Sequence, residues 1–220
     1  RKEVNKKEGG KITQVICEQE AALVYLANQA CITWHTWLSR ADQPDHPDKI
    51  ILDLDPPGSG FETIRESLSS VKDYLEDKEL TAFLMTTGSS GLHLVIPVQP
   101  DHGFEKIKEK VDRLTSDMTD QLEAYFTTQQ SRNKREGRIY LDGQRNNYAQ
   151  TGVAPYSLRP LEKAPVATPV SWQEAMKKDF HSRTYHIGNI FRRLGQVDDP
   201  WSSFNHAGIR KKNLRSMMAL

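Results

Sequence analysis

The stretch Ile51-Leu52-Asp53-Leu54-Asp55-Pro56-Pro57-Gly58 decides the reading of this chain. Leu52 and Leu54 alternate with Asp53 and Asp55, and successive side chains on a strand point to opposite faces. The leucines therefore pack on one side, both carboxylates project from the other, and Pro-Pro-Gly stops the strand. Two acids on one face repel each other unless a cation lies between them. Oxygen donors of this kind suit Mg²⁺ or Mn²⁺ better than zinc. An Asp-x-Asp strand end also serves phosphatases and glycosyltransferases, and Asp55 can equally do no more than open a turn.

Further strands are expected over 11–16, 32–37, 49–55, 81–86, 92–98, 138–141 and 151–156. Helices are expected over 18–30, 61–75 with Ser59 as its cap, 104–126 and 171–178. The long helices rest on apolar stripes such as Ile64, Leu68, Val71 and Leu75, or Ile107, Val111, Leu114 and Met118. Strands and helices intermix with a hairpin between them, which predicts an α+β fold of mainly antiparallel sheets flanked by helices. The 220 residues are read as one domain.

Outward from the first motif, Thr86-Thr87-Gly88-Ser89-Ser90-Gly91-Leu92-His93 joins two apolar strands. Small residues let backbone N–H groups turn inward as an anion nest, and His93 adds a donor; an ordinary tight turn has the same composition. Tyr140-Leu141-Asp142 ends a short strand in a basic stretch, where the acid is a third metal ligand or a partner for arginine. Arg159, flanked by Pro155 and Pro160, offers a fork for phosphate oxygens. Trp34, His35 and Trp37 combine aromatic and polar character suited to stacking on a base, or to a plain core.

Charge is uneven along the chain although the net value is +1. Residues 41–80 hold eleven acidic against four basic side chains, whereas residues 181–220 hold seven basic against two acidic. Such a division can hold a cation beside a polyanion, or simply make two solvated faces. Arg132, Lys134, Arg135, Arg210, Lys211 and Lys212 are the candidate contacts to DNA phosphates. No apolar run reaches the roughly 20 residues of a membrane span. Cys17 and Cys31 lack zinc-ligand spacing and suit a reducing cytoplasm.

Taken in order, Glu8-Gly9-Gly10, His35-Thr36-Trp37-Leu38-Ser39-Arg40, Asp53-Leu54-Asp55-Pro56, Thr87 to His93, Tyr140-Leu141-Asp142, Ala154 to Arg159 and Pro165 to Pro169 are a specific set. The chain resembles the primase-like polymerase domain of bacterial DNA ligase D, within the archaeo-eukaryotic primase superfamily. The resemblance implies a primase-like catalytic core and template-dependent nucleotidyl transfer to a DNA 3′-end. Gap filling and end extension in non-homologous end joining, with ribonucleotides preferred, would be the task. Asp53, Asp55 and Asp142 would bind two Mn²⁺ or Mg²⁺ ions. His35, Thr87, Ser89, Ser90, His93 and Arg159 would bind the nucleoside triphosphate. DNA ends or gaps with a 5′-phosphate, Ku and a ligase would be partners, in a bacterial cytoplasm at the nucleoid.

Two departures stand out. Ser90 replaces a lysine common in relatives, which removes a possible phosphate contact. The basic, aromatic N-terminal segment of relatives, which helps to form their 5′-phosphate pocket, is expected to be missing. The competing expectation is a non-catalytic DNA-end or nucleotide-binding module derived from such a polymerase.

Overall fold

The structure, a computed structural model, describes residues 1–6, 8–58 and 60–209. Ser59, Arg210, Lys211 and Lys212 lie outside the described residues. In chain order the elements are β1 (Lys2–Asn5), β2 (Lys11–Gln14), α1 (Glu20–Asn28), β3 (His35–Trp37), β4 (Lys49–Asp55), α2 (Glu62–Asp77), β5 (Phe83–Thr86), β6 (Leu92–Pro97) and α3 (Phe104–Gln121). There follow β7 (Phe126–Thr127), β8 (Ile139–Asp142), β9 (Thr151–Val153), β10 (Pro169–Val170), α4 (Trp172–Ala175), α5 (Ile190–Leu194) and α6 (Phe204–Ile209).

A six-stranded sheet in the order β10-β5-β6-β4-β8-β7 is the frame. All neighbours are antiparallel except β7 and β8, which run parallel. The expected α+β class with mainly antiparallel sheets is what the fold shows. Alternation along β4 divides its faces: Ile50, Leu52 and Leu54 are fully buried with Ile64, Leu68 and Val71 of α2 and Ile107, Val111 and Leu114 of α3. Both helices thus cover one face, and Asp53 and Asp55 are left on the other.

The two-stranded ribbon β3–β9 packs on that second face. The approach is close: a Cβ on Gly152 would lie 2.7 Å from Ile51 Cδ1. Buried Asn146 fastens the segment after β8 to β4, accepting from Ile51 N–H (2.9 Å) and donating to Ile51 O (2.7 Å). It takes the place of a missing ladder partner, and so fixes Arg145 next to it.

Several expectations change. α1 buries none of its residues, so the stripe of Leu23, Leu26 and Ala27 does not reach the core. α3 ends at Gln121, not Phe126, because the chain leaves the helix to place fully buried Phe126 in β7. β1, β7 and β10 lie outside the expected strands; β7 and β10 have only two residues each, too few for a period to register. α2 begins after Phe61 with no side-chain cap bond. α4 carries a reciprocal capping box, with Ser171 accepting from Glu174 N–H. Among the described residues no helix is long and apolar enough to cross a membrane.

Candidate active site

β4 lies between β6 and β8, and its register sets the site. Asp53 faces His93 on one neighbour and Asp142 on the other, while Asp55 faces Tyr140. Residues directly opposite each other point to the same face. His93, Asp53 and Asp142 therefore make a row across three strands, with Asp55 and Tyr140 one step along. The acids do not repel one another freely, since protein donors reach each. Asp53 Oδ2 lies 3.5 Å from Arg145 Nη2 and 3.7 Å from His93 Nε2. Asp55 Oδ2 accepts from Arg135 Nη1 at 3.0 Å, and Asp142 Oδ1 from Gln144 N–H at 2.8 Å.

Burial pushes the Asp53 carboxyl up, but His93 and Arg145 outweigh it and hold the group below the ordinary carboxylate range. Asp53 is thus charged at neutral pH despite a side chain only 14% exposed. Among the described residues, no three of His, Cys, Asp and Glu close into a ready metal cluster. Asp53 and Asp55 are instead drawn to Arg145 and Arg135. The donor set still fits a hard divalent cation: three carboxylates on one face of adjacent strands, all oxygen. Beside them His93 Nδ1 is buried with no partner among the described residues.

The loop between β5 and β6 forms the opposite wall. Gly88 has φ +66°, and a Cβ there would lie 2.8 Å from Arg159 Cγ. A Cβ on Gly91 would lie 2.7 Å from Leu54 O and 3.1 Å from Asp53 Oδ1. Both glycines are thus required for the loop to sit against β4 and Arg159. The expected nest is partly filled from within, because Ser89 and Gly91 N–H both donate to Thr87 Oγ1 (3.3 and 3.2 Å). Arg159 Nη1 donates to Thr87 O at 3.4 Å, while its Nε and that of Arg145 are buried with no partner among the described residues. His35, on β3, has its pKa lowered by burial and by Arg159, Arg145 and His93, so it is neutral at pH 7.

These groups meet in a cavity of about 310 Å³. Asp53, Asp55 and Asp142 line it together with His35, Thr87, Ser89, Ser90, His93 and Arg159, the full set expected for metal and nucleotide. Trp34 and Trp37 do not line it: Trp34 Nε1 donates to Cys31 O (2.7 Å) and Trp37 packs edge-on against Tyr148. Arg145, Tyr140 and Arg135 line it unexpectedly, because only the register brings them there. Arg135 needs correction as a DNA contact. It is 4% exposed, donates to Asp55, Gln129 O and Gln130 O, and stacks over Tyr140. Its charge is used inside the protein. Arg132 and Lys134 are exposed on the adjoining turn, outside the cavity.

A mainly antiparallel sheet flanked by helices in this way is a primase-like fold. The solved polymerase domain of ligase D from Mycobacterium tuberculosis, in complex with DNA, has the same fold: TM-score 0.80 and 25% identity over 93% of this chain and 73% of that one. Residues 1–201 match the family described as LigD, primase-polymerase domain, and the chain belongs to it. It is 29% identical over 194 residues to the multifunctional non-homologous end joining protein LigD of Pseudomonas aeruginosa, covering 87% of this chain. The bifunctional LigD of Bacillus subtilis is 25% identical over 197 residues, covering 89% of this chain. The chain spans 23% of the first relative's length and 32% of the second's.

Proposed function

We propose that this chain is a nucleotidyltransferase that extends DNA 3′-ends on a template, preferring ribonucleotides, during bacterial end joining. The observation that carries this is the register placing Asp53 opposite both Asp142 and His93, on the face toward the Thr87–Gly91 loop. Asp53, Asp55 and Asp142 would hold two divalent cations, Mn²⁺ or Mg²⁺. When bound, such ions make a hydroxyl more nucleophilic and stabilise the charge on a departing pyrophosphate.

The chain's own residues position and neutralise. Arg159 and Arg145 present guanidinium groups to the cavity, where they can attract phosphate oxygens. His93, pinned beside Asp53, donates from the sheet floor. Ser89 and Ser90 offer hydroxyls from the loop, and Thr87 braces it. His35, which lines the cavity from β3, would meet the nucleotide without adding charge. Ku and a ligase, fused or separate, would be the partners at ends bearing a 5′-phosphate.

A non-catalytic nucleotide- or DNA-end-binding module is the second reading, favoured by the guanidinium groups that already occupy Asp53 and Asp55. Incubation with labelled nucleoside triphosphate and gapped DNA separates the two. Longer product, increased by Mn²⁺ over Mg²⁺ and by ribo- over deoxynucleotides, is the expected result. Binding without extension supports the module, and free phosphate would indicate a hydrolase.

DNA affinity is expected to fall steeply with salt through Arg132, Lys134, Arg210, Lys211 and Lys212. Replacing Arg132 and Lys134 together by alanine should reduce the slope of log affinity against log salt by about 2. An unchanged slope in a binding titration removes both from the interface.

A further inference from the structure

The segment between α4 and α5 grips the Thr87–Gly91 loop from outside the cavity. Ser182, 3% exposed, donates from Oγ to Gly91 O at 2.8 Å and lies 3.4 Å from Thr87 Oγ1. Arg183 donates from Nε to Ser89 O at 2.8 Å. Neither residue lines the cavity, whereas Ser89, Ser90 and Gly91 do.

The backbone of the segment is fastened on both sides, and Arg183 reaches Ser89 O from an exposed position. Phe180, 4% exposed, packs edge-on against Phe61 in the core. Tyr185 O accepts from Val166 N–H at 2.9 Å, and His186 bridges Pro165. Ser182 and Arg183 are held between these anchors. The loop's carbonyls are held partly from elsewhere: Thr87 O by Arg159, Ser89 O by Arg183, and Gly91 O by Ser182 together with Thr87 N–H and Oγ1 of the loop itself.

A trans peptide is planar, and its C=O and the following N–H point in opposite directions. None of the peptide bonds here is cis. Holding the Ser89 carbonyl on Arg183, which does not line the cavity, therefore turns the Ser90 N–H away from Arg183. We infer that Arg183, supported by Ser182, is a positioning residue for the incoming nucleoside triphosphate: it pre-turns the Ser90 amide to meet a phosphate oxygen. Without it the Ser89–Ser90 peptide is free to rotate, and a donor aimed at the phosphates is lost. The inference rests on the proposed nucleotidyl transfer.

The test is steady-state extension and nucleoside triphosphate binding by the intact chain, comparing wild type with R183A, R183K and S182A. R183A should raise KM and Kd for the nucleotide roughly 5- to 10-fold, the scale of one ordinary hydrogen bond. Its kcat should stay within about twofold, and its DNA affinity and melting temperature should match wild type. R183K, which can still donate to Ser89 O, should recover most of the loss, and S182A should shift KM in the same direction. An R183A protein with wild-type KM and Kd overturns the inference, as does a loss confined to kcat or to DNA affinity. If wild type binds nucleotide and extends DNA while R183A is unaffected, only the role of Arg183 falls. A wild type that binds no nucleoside triphosphate overturns the proposed function as well.

Discussion

Replacing Asp53 by asparagine is expected to lower single-turnover extension of gapped DNA roughly a thousandfold or more, the scale of losing several kcal/mol of cation-derived stabilisation. Asp142→Asn should do the same, since the two side chains face each other across β4 and β8. The amide keeps the shape of the carboxylate, and Gln144 N–H can still donate to the amide oxygen that the second substitution leaves in place, so both variants should melt as cooperatively as wild type. The substitution at Asp53 also has a second, opposite effect. It removes the negative charge that Arg145 and His93 face, leaving the cavity more positive. Nucleoside triphosphate binding measured in EDTA should therefore be no weaker in Asp53→Asn. Loss of extension with retained binding separates a cation-holding acid from a residue that merely supports the fold. Extension within tenfold of wild type would remove Asp53 from that role. Because the wild-type carboxyl is held below its ordinary range, its protonation should not limit the rate at neutral pH.

What was legible in the chain followed periodicity. The alternation of Leu52, Asp53, Leu54 and Asp55 placed two acids on one face, and the stripes of α2 and α3 placed the core on the other. The glycines at 88 and 91 marked a loop whose close approach to Arg159 and Leu54 no larger residue would allow. What was not legible is tertiary. No local pattern says that Asp142 lies opposite Asp53, because register between distant strands depends on packing. Arg135 stands in a basic run and reads as solvated; only the fold reveals Asp55, Tyr140 and two carbonyls around it. Arg145 reads as one more basic residue, and enters the cavity because Asn146 completes the β4 ladder. Ser182 and Arg183 had no signal at all, since their partners are backbone carbonyls about ninety residues away.

Arg193→Met is expected to cost the fold about 3–5 kcal/mol at neutral pH, the scale of leaving one member of a buried ion pair alone. Arg193 and Glu174 are 5% and 8% exposed. Arg193 donates through Nε to Glu174 Oε1 (2.9 Å) and through Nη2 to Glu174 Oε2 (2.8 Å) and Pro169 O (2.8 Å). Tyr185 donates to the same carboxylate and lies under the guanidinium, 4.6 Å from ring centre to Cζ. Burial acts to raise the Glu174 carboxyl, but hydrogen bonds from Arg193 and Tyr185 outweigh it and hold the group below its usual value. In wild type the pair therefore stabilises the fold above the ordinary glutamate pKa, and this is lost as pH falls through the lowered one. Removing Arg193 reverses the sign. Glu174 would then be buried without its cation, its pKa would rise, and acidification through that raised value would restore stability by neutralising it. Urea unfolding at pH 5 and pH 7 should show Arg193→Met gaining stability on acidification. A variant that loses stability in parallel with wild type would assign the pair no electrostatic role. Glu174→Leu combined with Arg193→Met should recover much of the loss, because no charge is then stranded. The pair joins α4 and α5, the two ends of the segment that carries Ser182 and Arg183, so the single variant should also raise KM for nucleotide before it unfolds.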